Sequence, residues 1–302
     1  MEKEMKVQQE RAKVVRKREQ RADTELRRVI RCLKKNKGSM VGLAVILIMM
    51  VVAVFAPWLA PYDPMEQSIM EALQSPSLAH PFGTDELGRD LFSRIIYGTR
   101  ITLRVGLISV GIAGTLGIIL GVLAGYLGGW VDFLIMRLVD LMMAFPGILM
   151  ALTIMAILGP DLTNLMIAVG ISSTPSYIRV TRGAVLVLRE IEYVQSARAI
   201  GCRDSTVMFR HVLPNVLASV IVLATTGVAD SILSAAGLSF LGLGIQPPTP
   251  EWGAMLTFSR LYLRMAPWLT IFPGIAIMLA VLGINMFGDG LRDALDPKLR
   301  HA

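Results

Sequence analysis

Residues Met40 to Ala60 form a run of 21 residues without one charged side chain. As a helix, at about 1.5 Å per residue, it reaches roughly 31 Å, the thickness of a bilayer's hydrocarbon core. Such a run must be buried in lipid or in a large protein core. Composition decides for lipid: 54% of the 302 residues are hydrophobic and only 18% charged, below the share of about 25% in ordinary soluble domains. Further spans are predicted at 102–126, 134–158, 164–184, 216–240 and 268–288. The expected fold class is an all-α polytopic membrane protein with six transmembrane helices, an even number that puts both termini on one side.

Lys and Arg orient the chain, because cytoplasmic segments carry their excess. Residues 1–38 hold 14 of them against 6 acids. With that tail inside, the loop 182–211 adds Arg182, Arg189, Arg198, Arg203 and Arg210, and the C-terminal end adds three more. The outer segments hold Arg89, Arg94, Arg100, Arg260 and Arg264. Both termini are therefore expected in the cytoplasm. Cys32 and Cys202 then both lie on the reducing side, and no outer disulfide is expected. Pro61 follows the one small-residue cleavage candidate, Ala60, so the first span reads as an uncleaved anchor. In the tail, Leu26, Val29, Ile30 and Leu33 recur at helical spacing among arginines. This is the pattern of a helix lying on an anionic membrane face, or of a solvated orientation signal with incidental apolar residues.

Several chemistries lack their residues. There is no G-x-x-x-x-G-K-[ST], and no lysine between Lys37 and Lys298, so the membrane body cannot build a phosphate-cradling loop with its lysine. His80, His211 and His301 have no ligand-spaced companions, so no metal site is expected. No G-x-S-x-G suggests a catalytic nucleophile, and no aromatic residue interleaves the tail's charges as nucleic-acid binding needs. The charges predicted within spans or at their edges are Arg104, Arg137, Asp140, Arg179 and Asp230. Arg137 and Asp140, three apart, are expected to pair locally. Asp230 either lines a polar passage or bonds a neighbouring helix.

The most organised polar stretch is the loop between the fourth and fifth candidates, "ARAIGCRDSTVMFRHVLPN" at 197–215. "EIEYVQSARAI" reads as a short helix ending at Gly201, where positive φ suits a C-cap. Asp204 or Ser205 is expected to cap a second helix, "STVMFRHVL", with Pro214 resetting the backbone before the next span. Val207, Met208, Val212 and Leu213 give it an apolar side. A returning loop needs only two to eight residues, whereas this one runs to about thirty and is built like a folded knob. Outside, Asp85–Arg89 and Asp90–Arg94 stand at i,i+4 in "GTDELGRDLFSR", predicting a short helix. "GIQPPTPEW" predicts a stiff extended connector.

The knob resembles the signature loop of ABC importer permeases, where E-A-A, a Gly and a spaced L-P form the coupling helices. Ala197, Gly201, Leu213 and Pro214 match; Gln195 and Ser196 stand where Glu and Ala are usual. "HPFGTDELGRDLFSRIIYGTR", "GGWVDFLIMRLVDLMMAFP", "LSFLGLGIQPPTPEWGAML" and "GDGLRDALDPKLR" are similar to the C-type permease of the dipeptide, oligopeptide and nickel branch. Ala235 departs, since many relatives carry an acid there. The resemblance implies a type I importer fold, with a tail (1–38), a first span (39–61), an extracytoplasmic segment (62–100), a permease core (101–290) holding the coupling loop 186–215, and a C-terminal tail (291–302). It implies a bacterial or archaeal cell membrane. It also implies a homologous second permease, two ABC ATPase subunits or a homodimer that bind ATP and Mg, and an extracytoplasmic substrate-binding protein. This chain would bind no cofactor and catalyse nothing. Gln195, Ser196, Ala197, Gly201, Asp204, Arg210, Leu213 and Pro214 would meet the ATPase, with Asp140 and Asp230 as candidates for the path. A nickel or nickel-chelate importer is the alternative cargo reading, and an ATP-independent secondary transporter the alternative class.

Overall fold

The computed structural model describes residues 30–295, and these are helical with irregular connections. Of the predicted tail helix at 26–33, residues 30–33 are helical and 26–29 lie outside the described residues. α1 (Lys37–Leu59) starts where the Asn36 side chain accepts from Ser39 N, and carries Pro57 in its last turn. An irregular segment follows, with one 3₁₀ turn at Ile69–Glu71, before α2 (Leu91–Leu127). α2 starts eleven residues before the predicted span, because Asp90 caps it by accepting from Ser93 N at 2.7 Å.

The predicted third span, 134–158, is not one helix. α3 (Gly129–Met143) and α4 (Gly147–Leu158) meet at 91°. Pro146 has no N–H for the helix ladder and pushes Phe145 out of the helical region, so the chain turns there. α5 (Leu162–Arg189) runs through Pro175. α6 (Glu192–Ala199), α7 (Asp204–Val207) and a π-helical turn (Met208–Val212) lead into α8 (Leu213–Phe240). α9 (Trp252–Ser259), a 3₁₀ turn and α10 (Trp268–Leu295) complete the described chain.

Among the described residues four helical stretches, Lys37–Leu59, Leu91–Leu127, Asp204–Phe240 and Trp268–Leu295, are long and apolar enough to cross a membrane, or five if the bent α3–α4 pair is one span. α5 has the length, at 28 residues, but carries Arg179 and Arg182. Around α2 the bundle closes, its most extensive contact being with α5. The contact is tight because glycines on α2 face it: a Cβ on Gly121 would sit 2.6 Å from Thr181 Cβ. Small residues of this kind let helix backbones approach where lipid supplies no hydrophobic drive.

At the N-terminal end of α2 the chain forms a cap. Asp85 and Arg89 pair at 2.6 Å as the spacing predicts, but residues 82–90 form turns with a bridge between Thr84 and Asp90, not a short helix. The predicted Asp90–Arg94 pair is also replaced. Asp90 Oδ1 meets His80 Nδ1 at 2.9 Å, while Arg94 donates to Pro64 O at 2.8 Å and lies 3.5 Å from Asp85. Two helical turns cannot form because Gly83 and Gly88 take positive φ, +78° and +73°. Glu251 caps α9 with both carboxylate oxygens, accepting from Gly253 N and Ala254 N.

Candidate coupling site

The knob is built at the other end of α2. α6 ends in a Schellman motif: Cys202 N donates to Ala197 O at 3.1 Å and Gly201 N to Arg198 O at 2.9 Å. Gly201 holds φ +81°, a value that costs any residue with a Cβ. The chain thus reverses within a few residues and enters α7.

The second half differs from expectation in two ways. Asp204 is not the cap; it lies in the first turn of α7, behind Arg203. Its Oδ1 instead accepts from Tyr126 Oη at 2.7 Å, tying the knob to the end of α2. Pro214 does not separate the knob from the next span either. Residues Asp204–Phe240 run on as one helical stretch. The helix widens to a π turn over Met208–Val212, where Leu213 N reaches back to Met208 O. A widened turn accommodates a proline that would otherwise clash with the preceding turn and lacks its donor. Asn215 Nδ2 donates to His211 O at 2.7 Å, supplying a side-chain partner to a carbonyl of that turn.

Apolar side chains seat the knob. Val194, Ala197, Val207, Val212 and Val216 are buried in one cluster with Val122 and Tyr126 of α2 and Val185 of α5, and Met208 and Leu213 pack against it. Arg198 lies over the Tyr126 ring, 4.9 Å from its centroid. Of the residues singled out in the sequence, Gln195, Ser196, Arg210 and Pro214 are exposed, while Ala197 and Leu213 face the seat. Gln195 Nε2 donates to Glu190 O at 3.2 Å, which holds α6 against the end of α5. Tyr126 is the residue that sequence reading missed. Only its position at the end of a span hinted at it, since nothing in the chain order connects residues 126 and 204.

The charges within the bundle do not form one relay. Asp140 pairs with Arg179 of α5 at 2.8 Å, not with Arg137, which instead lies over Phe133 at 5.4 Å. The cross-helix partner prevails because α3 lies beside α5, where Asp132 also accepts two bonds from Arg182 at 2.5 and 2.6 Å. Asp230 is exposed and belongs to no ion pair among the described residues. Ala235 is buried, at the packing of α8 against α4 and α5.

Apolar helices long enough to cross a bilayer, with a folded knob at one end of α2, define a membrane protein. Comparison with known proteins makes this specific. Residues 117–301 match the family described as the binding-protein-dependent transport system inner membrane component. Residues 24–76 match the N-terminal transmembrane domain of oligopeptide transport permease C. The chain is 50% identical to the dipeptide transport system permease protein DppC of Alkalihalophilus pseudofirmus, over 91% of this chain and 90% of that one. It is 50% identical to the di/tripeptide permease DppC of Pseudomonas aeruginosa, over 88% and 90%, and 48% identical to the glutathione permease GsiD of Pectobacterium atrosepticum, over 89% and 90%. The crystal structure of an amino acid ABC transporter with histidines shares the fold at a TM-score of 0.50 and 15% identity, covering 67% of this chain and 92% of that one. The chain belongs to the binding-protein-dependent transport system inner membrane components, the permease subunits of ABC importers, and to their C-type branch.

Proposed function

We propose that this chain is the C-type permease of an ATP-driven importer of short peptides in the bacterial inner membrane. In this reading it crosses the bilayer six times, with α5 and the bent α3–α4 pair each counted as one crossing and both termini in the cytoplasm. A homologous second permease completes the path between the two subunits. Two cytoplasmic ATPases hold ATP and Mg, and a binding protein delivers cargo to the outer cap. Peptide cargo is supported by the names of the relatives, whose substrates are dipeptides, tripeptides and glutathione.

The observation that carries the reading is the seated knob. A loop that merely returned the chain would not need two helices, a Schellman turn and an apolar plug shared with α2 and α5. Gripped by an ATPase, it transmits force directly: α7 is continuous with α8, and Tyr126 joins it to α2. The alternative of a self-powered transporter gains nothing from such a knob, and Asp140 is already occupied by Arg179. Affinity purification from the native membrane is the test. Recovery of a second permease and P-loop ATPases, with ATP-dependent peptide uptake after reconstitution, is the expected result. A chain that emerges alone and moves solute without ATP would overturn the reading.

A further inference from the structure

At the end of α2 opposite the knob, one helix face lines a cavity of about 360 Å³. Tyr97, Arg100, Ile101 and Arg104 recur at i, i+3, i+4 and i+7, the spacing that places side chains on one side of a helix. Asp63, just after α1, and Thr249 of the proline-rich connector supply the facing wall. The volume falls in the range of small-molecule sites, about 300–1,000 Å³.

The two arginines differ in what holds them. Pro57 of α1 has no N–H to offer the carbonyl four residues back. Arg100 Nε donates to that carbonyl, Ala53 O. Arg100 is thereby tied to α1. Arg104 is exposed and belongs to no ion pair among the described residues. Beyond it residues 105–127 carry no charge, about 34 Å of helix, enough to cross the hydrocarbon. Arg104 therefore stands at the edge of the apolar layer, where a cation without a partner in its own chain marks a ligand path or an anion site.

We infer that this cavity is a receiving site for an oxyanion, and that the anion is the terminal carboxylate of the transported peptide. Arg104 offers the planar fork of donors that fits a carboxylate. Asp63 puts a negative charge on the same cavity, which suits the peptide's amino end and repels a ligand that is only anionic. The inference rests on the importer reading above. A phospholipid phosphate presents the same oxyanion chemistry at this depth and is the other source to be distinguished.

The test uses the complete transporter in vesicles, with Cys32→Ser, Cys202→Ser and Met65→Cys; Met65 is exposed and lines the cavity. An anionic methanethiosulfonate reagent reports on the cavity through its rate of labelling. In phosphatidylcholine vesicles, dialanine is expected to slow labelling and dialanine amide to leave it unchanged. Arg104→Gln should lower the anionic reagent's rate about fivefold, the effect of one nearby charge in water, and abolish protection, while Arg104→Lys retains both. Equal protection by peptide and amide, or a rate indifferent to Arg104→Gln, overturns the inference. Slowing produced by phosphatidylglycerol and not by dialanine assigns the anion to lipid and overturns the cargo assignment. Peptide uptake is read in the same vesicles. Carboxylate-specific protection without ATP-driven uptake supports the site and sinks the importer reading alone.

Discussion

The two ends of α2 are fastened by opposite means. At its start, the cap is interlocked by buried charge: His80 with Asp90, Asp85 with Arg89 and Arg94, and Glu251 on the backbone of α9. Each of these side chains is almost fully buried. At its end, the knob rests on an apolar cushion with the Tyr126–Asp204 bond as a tie to α2, and its tips stay open, Ile200 at 81% and Phe209 at 62% exposure. A buried charge network is unforgiving, because removing one partner strands another. An apolar seat yields by degrees, and leaves the opposite face exposed. The cap is locked on every side, whereas the knob is seated on one side and open on the other.

That contrast is broken most directly by Asp85→Ala. It leaves Arg94 buried without a carboxylate and Arg89 with Glu86 alone, at 3.3 Å, and a loss of about 3 kcal/mol is expected, read as a drop in thermal unfolding temperature of the purified complex. A stable Asp85→Ala protein would show that the cap is not interlocked. Glu251→Ala comes next, at about 2 kcal/mol, from two lost cap bonds. Burial pushes the Glu251 carboxyl above the ordinary glutamate range. The unfolded chain then releases this proton first as pH rises, so the residue's contribution to stability falls as pH climbs from the ordinary value toward the raised one. Glu251→Gln removes that dependence, and its stability relative to wild type should improve as pH rises above the ordinary glutamate range; a constant gap sinks the argument.

At the knob the expected stability effects are smaller and the functional ones specific. Tyr126→Phe removes one hydrogen bond, about 1 kcal/mol, and should lower the peptide moved per ATP hydrolysed; unchanged coupling would deny the tie a mechanical role. Arg210→Glu, on an exposed side chain, should change stability by no more than about 0.5 kcal/mol. It should nevertheless weaken ATPase association, measured by co-purification. A large loss of stability there would mean the knob is interlocked like the cap.

The apolar runs made the membrane body legible, because lipid imposes length and polarity on every span. α1, α8 and α10 follow the predicted runs closely. Part of what escaped depended on contacts distant in the chain, and part on local backbone geometry. Asp140 pairs with Arg179 and not with its helix neighbour Arg137, since helix packing outranks local spacing. The i,i+4 pattern at 85–94 gave the right Asp85–Arg89 pair in the wrong secondary structure, because two glycines with positive φ turned the chain. Gly201 was readable from local chemistry alone, as a C-cap. Asp204 was not: its role was set by Tyr126, 78 positions away. Pro214 was read as a stop, although a π turn lets the helix run through it.

That π turn has a mechanical consequence. Because Asp204–Phe240 is a single stretch of 37 residues, roughly 55 Å long, a tilt imposed at its knob end sweeps its far end through a wide arc. A stiff rod conserves angle, so little of the stroke is absorbed along its length. Compliance must then be sought elsewhere, and the elbow at Ala144–Pro146, where α3 and α4 meet at 91°, is where the bundle has joints instead of beams.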